Sequence, residues 1–220
     1  MFRPFVFIIG LTIAFRIASA QTADLSDLLE AAKMDYANGH LDAAMAKLDQ
    51  RDKAQRASGD SLDLRGSIAL EQGKLALAAR EFSEAHKLQP ELFAPRLHLG
   101  DVDLREKKYA EAREIYTKLA SDTNILTSSE RTRYALLIVE LASKDETAAK
   151  AAFGNIKFPT ETPAYYFAEA AWAFAHHDES SAKKWIATAR DIFAAPTLAW
   201  FERPLYDLGW LKEKPPPPTL

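Results

Sequence analysis

Five alanines, Ala44, Ala78, Ala112, Ala149 and Ala182, stand 34, 34, 37 and 33 residues apart. Each is followed four residues later by a larger apolar side chain: Leu48, Phe82, Tyr116, Phe153 and Ile186. Residues four apart share one helix face. Apolar residues recur at three and four, and few runs alternate with period two, so the spacing predicts an all-α chain. A unit of this length, repeated about five times, holds one helical hairpin. One hairpin cannot bury its apolar stripe alone, and stacking hairpins makes a continuous core.

The second unit carries Leu62, Arg65-Gly66 and Ala69, then Gly73, Ala78, Phe82, Ala85 and Pro90. The third carries Leu99-Gly100, Tyr109, Ala112, Tyr116 and Leu119. Looser matches are Leu28, Ala31-Ala32, Gly39, Leu41, Ala44 and Leu48; Leu136-Leu137, Ala149, Phe153 and Ile156; and Tyr166, Ala170, Ala182, Ile186 and Ala189. Over residues 25 to 190 this resembles the tetratricopeptide-repeat family. The aromatic that the family places late in its first helix is absent; Asp35, Ala69, Asp103, Glu140 and Ala173 stand there. The resemblance implies a right-handed α-solenoid of about five helix–turn–helix units over 21–190. In such a pair the second-helix alanine is expected against a small residue of the first helix, such as Gly66 or Gly100.

In this family the first helices line a concave surface. The register places Glu30, Lys33, Asp63, Ser67, His98 and Asp101 on its acidic and polar half, and Tyr134, Ile138 and Phe167 on its apolar half. That mixed groove suits an extended or helical peptide bearing basic and apolar groups. One subset of the family clamps carboxylate termini with lysine and asparagine. The matching stretch here offers Leu29, Lys33, Asp63 and Leu64, so that mode is not expected.

The ends read differently. Within Met1–Ala20, Arg3 precedes the apolar run Phe5 to Phe15, and Ala18-Ser19-Ala20 has the small-x-small form of a cleavage site. This is the pattern of a secretory signal peptide. The run is shorter than the roughly 20 residues of a membrane span, and Arg16 ends it. Removing Arg3 and Arg16 takes the net charge from -3 to -5. With no cysteine in the chain, an acidic exported protein suits a bacterial periplasm or exterior. An uncleaved segment would instead tether the chain to the inner membrane.

Ser121–Ser129 and Lys157–Pro163 are expected as surface connections, with Thr127-Ser128-Ser129-Glu130 as a capping box starting the next helix. Residues 191–211 are expected to form an aromatic capping segment, opened by Pro196 and carrying Trp200, Leu208 and Leu211. Residues 212–220 (KEKPPPPTL) lack apolar periodicity and are expected as a disordered, proline-rich tail.

The chain offers no Gly-rich phosphate loop, G-x-S-x-G elbow or H-E-x-x-H motif, so no enzyme, cofactor or metal is expected. His176 and His177 are adjacent, point about 100° apart on a helix and fall at a turn. Asp101/Asp103 and Asp24/Asp27 read as surface charge, and Glu106-Lys107-Lys108 as a turn. Nothing concentrates basic charge for nucleic acid. The expectation is an exported, non-enzymatic scaffold that binds a protein or peptide. Alternatives are self-association through the aromatic end, or glycan binding through its aromatics.

Overall fold

A computed structural model of the chain describes residues 28–51, 58–121 and 126–218. Met1–Ala20, Asp24 and Asp27 lie outside them. Among the described residues there are eleven α-helices and no strand. α1 covers 28–37, α2 Leu41–Gln50, α3 Gly59–Glu71, α4 Leu75–Leu88, α5 Phe93–Arg105 and α6 Tyr109–Ala120. α7 covers Leu126–Ser143, α8 Glu146–Gly154, α9 Ala164–Ala175, α10 Glu179–Ile192 and α11 Ala195–Asp207. Neighbours pack in sequence order, α2 on α3 and onward to α7 on α8, then α9 on α10. First-of-pair helices also meet, α3 with α5 and α7 with α9. No helix among the described residues is long and apolar enough to cross a membrane.

The five alanines are all solvent-excluded and all lie on second helices. In α4, α6 and α10 the buried apolar stripe has one spacing: Ala78, Phe82 and Ala85; Ala112, Tyr116 and Leu119; Ala182, Ile186 and Ala189. Positions i, i+4 and i+7 make a narrow face, and the opposite side stays in solvent. The first helices are buried more widely. In α3 every residue from Gly66 to Glu71 is buried.

Each pair closes through one turn geometry. Gly39, Gly73, Lys107, Lys144 and His177 have φ of 78°, 73°, 61°, 61° and 62°. They stand 34, 34, 37 and 33 residues apart, each five residues before its repeat alanine. After each, a backbone N–H reaches back five residues: His40 to Asp35 O at 2.8 Å, Lys74 to Ala69 O at 2.8 Å and Lys108 to Asp103 O at 2.8 Å. Asp145 reaches Glu140 O at 3.1 Å, and Asp178 reaches Ala173 O at 2.9 Å. This is the Schellman closure, which satisfies a late carbonyl of the first helix. The accepting carbonyls belong to the five positions where the family's aromatic is missing. In the last two pairs the next residue also caps the second helix: Asp145 accepts from Ala148 N–H at 3.0 Å, and Asp178 from Ser181 N–H at 2.9 Å.

Glycine admits a ring between paired helices, rather than an alanine. A Cβ at Gly66 would stand 2.6 Å from Phe82, and one at Gly100 would stand 2.5 Å from Tyr116. In these two units the larger residue of the repeat pair therefore covers the small one. One boundary expectation also shifts. α7 already includes Leu126, so the Thr127–Glu130 stretch lies within that helix rather than starting it. The Glu130 carboxylate accepts from the hydroxyls of Thr160 and Thr162, tying α7 to the 157–163 connection. Pro196 is the second residue of α11, as expected of a helix opener, and Pro204 lies inside its last turn.

A left-handed backbone costs a residue with a side chain roughly 1–2 kcal/mol. Lys107→Gly and Lys144→Gly should each raise the unfolding free energy by up to ~1 kcal/mol, after glycine's extra chain entropy. Gly73→Ala should lower it by about the same amount. Urea denaturation with an unchanged slope is the check.

Candidate functional site

α11 does not simply end the stack. It packs on α7, α9 and α10, and its side chains reach back along the first helices. The Trp200 ring stacks on His98 of α5, with centroids 5.5 Å apart and planes 11° apart. The Arg131 guanidinium of α7 lies 3.4 Å from the Trp200 ring centroid, a cation–π contact. Phe201 stacks on Phe167 of α9 at 5.8 Å, and its carbonyl accepts from Tyr134 Oη at 2.8 Å. Arg105 of α5 donates to Asp207 at 2.8 Å and to the Leu70 carbonyl at 2.7 Å. Arg190 of α10 donates to Glu202 at 2.9 Å.

Behind this contact lies a chain of buried polar groups. His98 Nδ1 faces Asp63 Oδ1 at 2.9 Å, and its ring also packs on Phe82 at 5.0 Å. His98 Nε2 is buried with no hydrogen-bond partner. Asp101 accepts from Tyr116 Oη at 2.6 Å and from Arg131 at 3.2 Å. Burial, then Asp101, pushes the Tyr116 phenol well above the ordinary range; burial does the same to Tyr134. Burial also lowers the Arg131 proton affinity, against the pull of Asp101. Tyr36 of α1 is raised by burial first and by Glu71 second.

The chain then continues past α11 into a seat on α1 and α3. Arg203 Nη2 pairs with Glu71 Oε2 at 2.9 Å, with both side chains buried. The same nitrogen donates to the carbonyls of Pro215 at 2.8 Å and Pro216 at 3.3 Å. Lys214 Nζ lies 3.2 Å from Glu71 Oε2 and donates to the Glu71 carbonyl at 3.1 Å. Pro217 comes within 4.0 Å of where a Cβ on Gly39 would stand. Pro218 shares a small cavity with Tyr36, Ser67, Trp200 and Arg203. A disordered tail therefore does not describe 214–218. Prolines carry no N–H, so the buried Arg203 can satisfy the segment's carbonyls without any ladder.

Of the nine groove residues expected from sequence, Ser67, His98, Tyr134, Ile138 and Phe167 are brought together around α11 and the proline segment. Asp63 stands one contact behind His98, while the half-buried Asp101 lines the same cavity and accepts from Tyr116 and Arg131, so it is not free surface charge. Glu30 and Lys33 pair with each other at 2.9 Å on α1 and do not join the cluster. Sequence reasoning missed Glu71, Arg105, Arg131, Arg203 and Lys214. Two signals were available: Trp200 and Arg203 are three apart on α11, and Lys214 directly precedes the prolines.

The two turn histidines have different roles. His177 is the left-handed turn residue, while His176 Nδ1 faces Trp172 O at 2.7 Å and Nε2 faces Glu146 at 3.1 Å. Among the described residues no three His, Asp or Glu side chains gather as a metal set. No family model matches the chain, and no curated protein matches it.

Removing one partner from a buried ion pair strands the other charge, which costs about 3–5 kcal/mol. Arg203→Met should destabilise the chain in urea melts by less than that, because Lys214 still lies 3.2 Å from the Glu71 carboxylate. Adding Glu71→Leu should recover part of the loss, because the two sites couple. A second outcome concerns pH. Both nitrogens of His176 face acceptors, which favours the imidazolium, and the Trp172 carbonyl followed by Glu146 raises it above 6.5. The stabilisation is therefore complete below pH 6.5 and lost as pH rises through the higher folded value. The stability difference between the unaltered chain and His176→Gln should shrink from pH 5.5 to pH 8 (about a 2.5-unit scan), measured by urea melts.

Proposed function

We infer that this chain is a tetratricopeptide-like α-solenoid that works as a non-enzymatic, exported adaptor, binding a protein segment on the concave face of its first helices. The observation that carries this reading is that the face already holds an extended peptide segment, the chain's own residues 214–218, through Glu71 and Arg203. A surface that seats a proline segment by a carboxylate, a guanidinium and a tyrosine-lined cavity has the chemistry of peptide recognition. The five identical turns and the alanine ladder support the repeat assignment. Export rests on the Met1–Ala20 pattern.

The test is affinity capture from an exported fraction with the 21–220 chain as bait, followed by amide exchange on the purified complex. Binding should slow exchange in α1, α3 and α5. A partner whose protection falls only on α2, α4 and α6 would move the binding surface to the second helices and overturn this reading.

A further inference from the structure

The chain leaves α11 through Gly209, which has a φ of 77°, and Lys212 and Glu213 are exposed. This strap crosses a trough of about 1090 Å³ whose walls are largely charged, with Glu140, Lys144, Lys183 and Arg190 beside the buried Leu141 and Phe174. Lys214 is exposed too, but its ammonium reaches Glu71. Pro215 and Pro218, three residues apart, are buried, while Pro216 is exposed and Pro217 is intermediate. Three residues per turn is the polyproline II repeat, a conformation such chains hold before binding. Each part of the seat has a separate task. Glu71 takes the cation of Lys214, Arg203 takes two proline carbonyls, and Tyr36 and Gly39 flank the rings.

We propose that the seat formed by Tyr36, Gly39, Glu71 and Arg203 recognises a proline-rich segment of a partner protein that carries lysine or arginine directly before its prolines, and that residues 214–218 occupy it in cis until such a segment displaces them. The proposal rests on the adaptor reading and names its ligand. A partner fits better than a second copy. A second copy's identical segment makes only the same contacts, and it competes against a tethered one whose effective concentration is on the order of millimolar. A partner can bring further residues ahead of its basic residue into the trough, where the chain's own strap leaves open space. Those extra contacts are what displacement requires.

The probe is a fluorescein-labelled peptide spanning residues 211–219, titrated by anisotropy. The proteins are the unaltered chain and a full-length variant carrying Lys214→Ser, Pro215→Gly and Pro218→Gly, which leaves the seat residues in place. The opened variant should bind at least ~10-fold more tightly than the unaltered chain, by the removal of the tethered competitor. A peptide carrying Lys214→Glu should lose binding by a similar factor, because Glu71 would then face a like charge. A variant with native circular dichroism that ignores the peptide overturns the proposal, as does equal binding by both proteins. A dimer of the unaltered chain that the peptide dissolves gives the seat to a second copy and overturns the partner assignment. If the peptide fails while a captured partner still protects α1, α3 and α5, the proline chemistry falls and the adaptor reading stands. If the peptide binds while every partner protects only second helices, the seat stands and the adaptor reading falls.

Discussion

Everything in this chain depends on how each helix pair is closed. A left-handed residue, followed by an N–H that reaches back five residues, recurs from Gly39 to His177 with the spacing of the alanine ladder. The closure fixes where the second helix starts relative to the first. The alanine five residues after it, and the larger residue four further on, then fall on the inward face in every unit. Three of the five turns adopt this backbone without glycine, at Lys107, Lys144 and His177. The strain persists because a slip of one residue would rotate a second helix by about 100° and expose its stripe. Tertiary packing thus overrides the local preference of the turn residue.

Regular pairing leaves one face of the first helices without a partner helix. That face carries Tyr36, Asp63, His98, Asp101, Arg131 and Tyr134, an unusual set to cover with an apolar cap. α11 solves the problem with mixed chemistry. Trp200 is held between an imidazole and a guanidinium, and Phe201 supplies both a ring and a carbonyl acceptor. Asp63 and Asp101 anchor His98 and Arg131 from behind, so the groups that meet Trp200 are held in place before it arrives. Buried polar networks of this kind favour one arrangement over near alternatives, because a displaced cap would strand several charges at once.

The legible part of this architecture is the part that repeats. The helical class, the pairing, the buried alanines, the Gly39 and Gly73 turns and the opening of α11 at Pro196 all leave periodic or local marks in the sequence. Helix register put Ser67, His98, Tyr134, Ile138 and Phe167 on the first helices' expected face, and all five are buried. What covers them did not. Lys214 meets Glu71 from 143 residues away, and Arg105 meets Asp207 across 102. Contacts at such separations are made once, so they leave no period to read. Asp101 illustrates the limit. Beside Asp103 on a helix it has the pattern of surface charge, and only the fold brings Tyr116 and Arg131 to it. The proline run misled for a related reason: it lacks apolar periodicity, yet Pro215 and Pro218 are buried without it.

The chemistry of the proline segment also makes its release inexpensive. Most extended segments leave a row of backbone N–H donors unsatisfied when they detach from a protein surface. Residues 215–218 have none, and their carbonyls exchange Arg203 for water. Glu71 and Arg203 remain paired when the segment leaves, so no buried charge is stranded. α11 keeps its own anchors at Trp200, Phe201 and Leu205, which do not depend on Lys214. Opening is therefore confined to the seat on α1 and α3, and the pairing of the repeats is untouched. A rigid stack with one locally detachable segment can hold a recognition face closed without coupling that state to the stability of the whole fold.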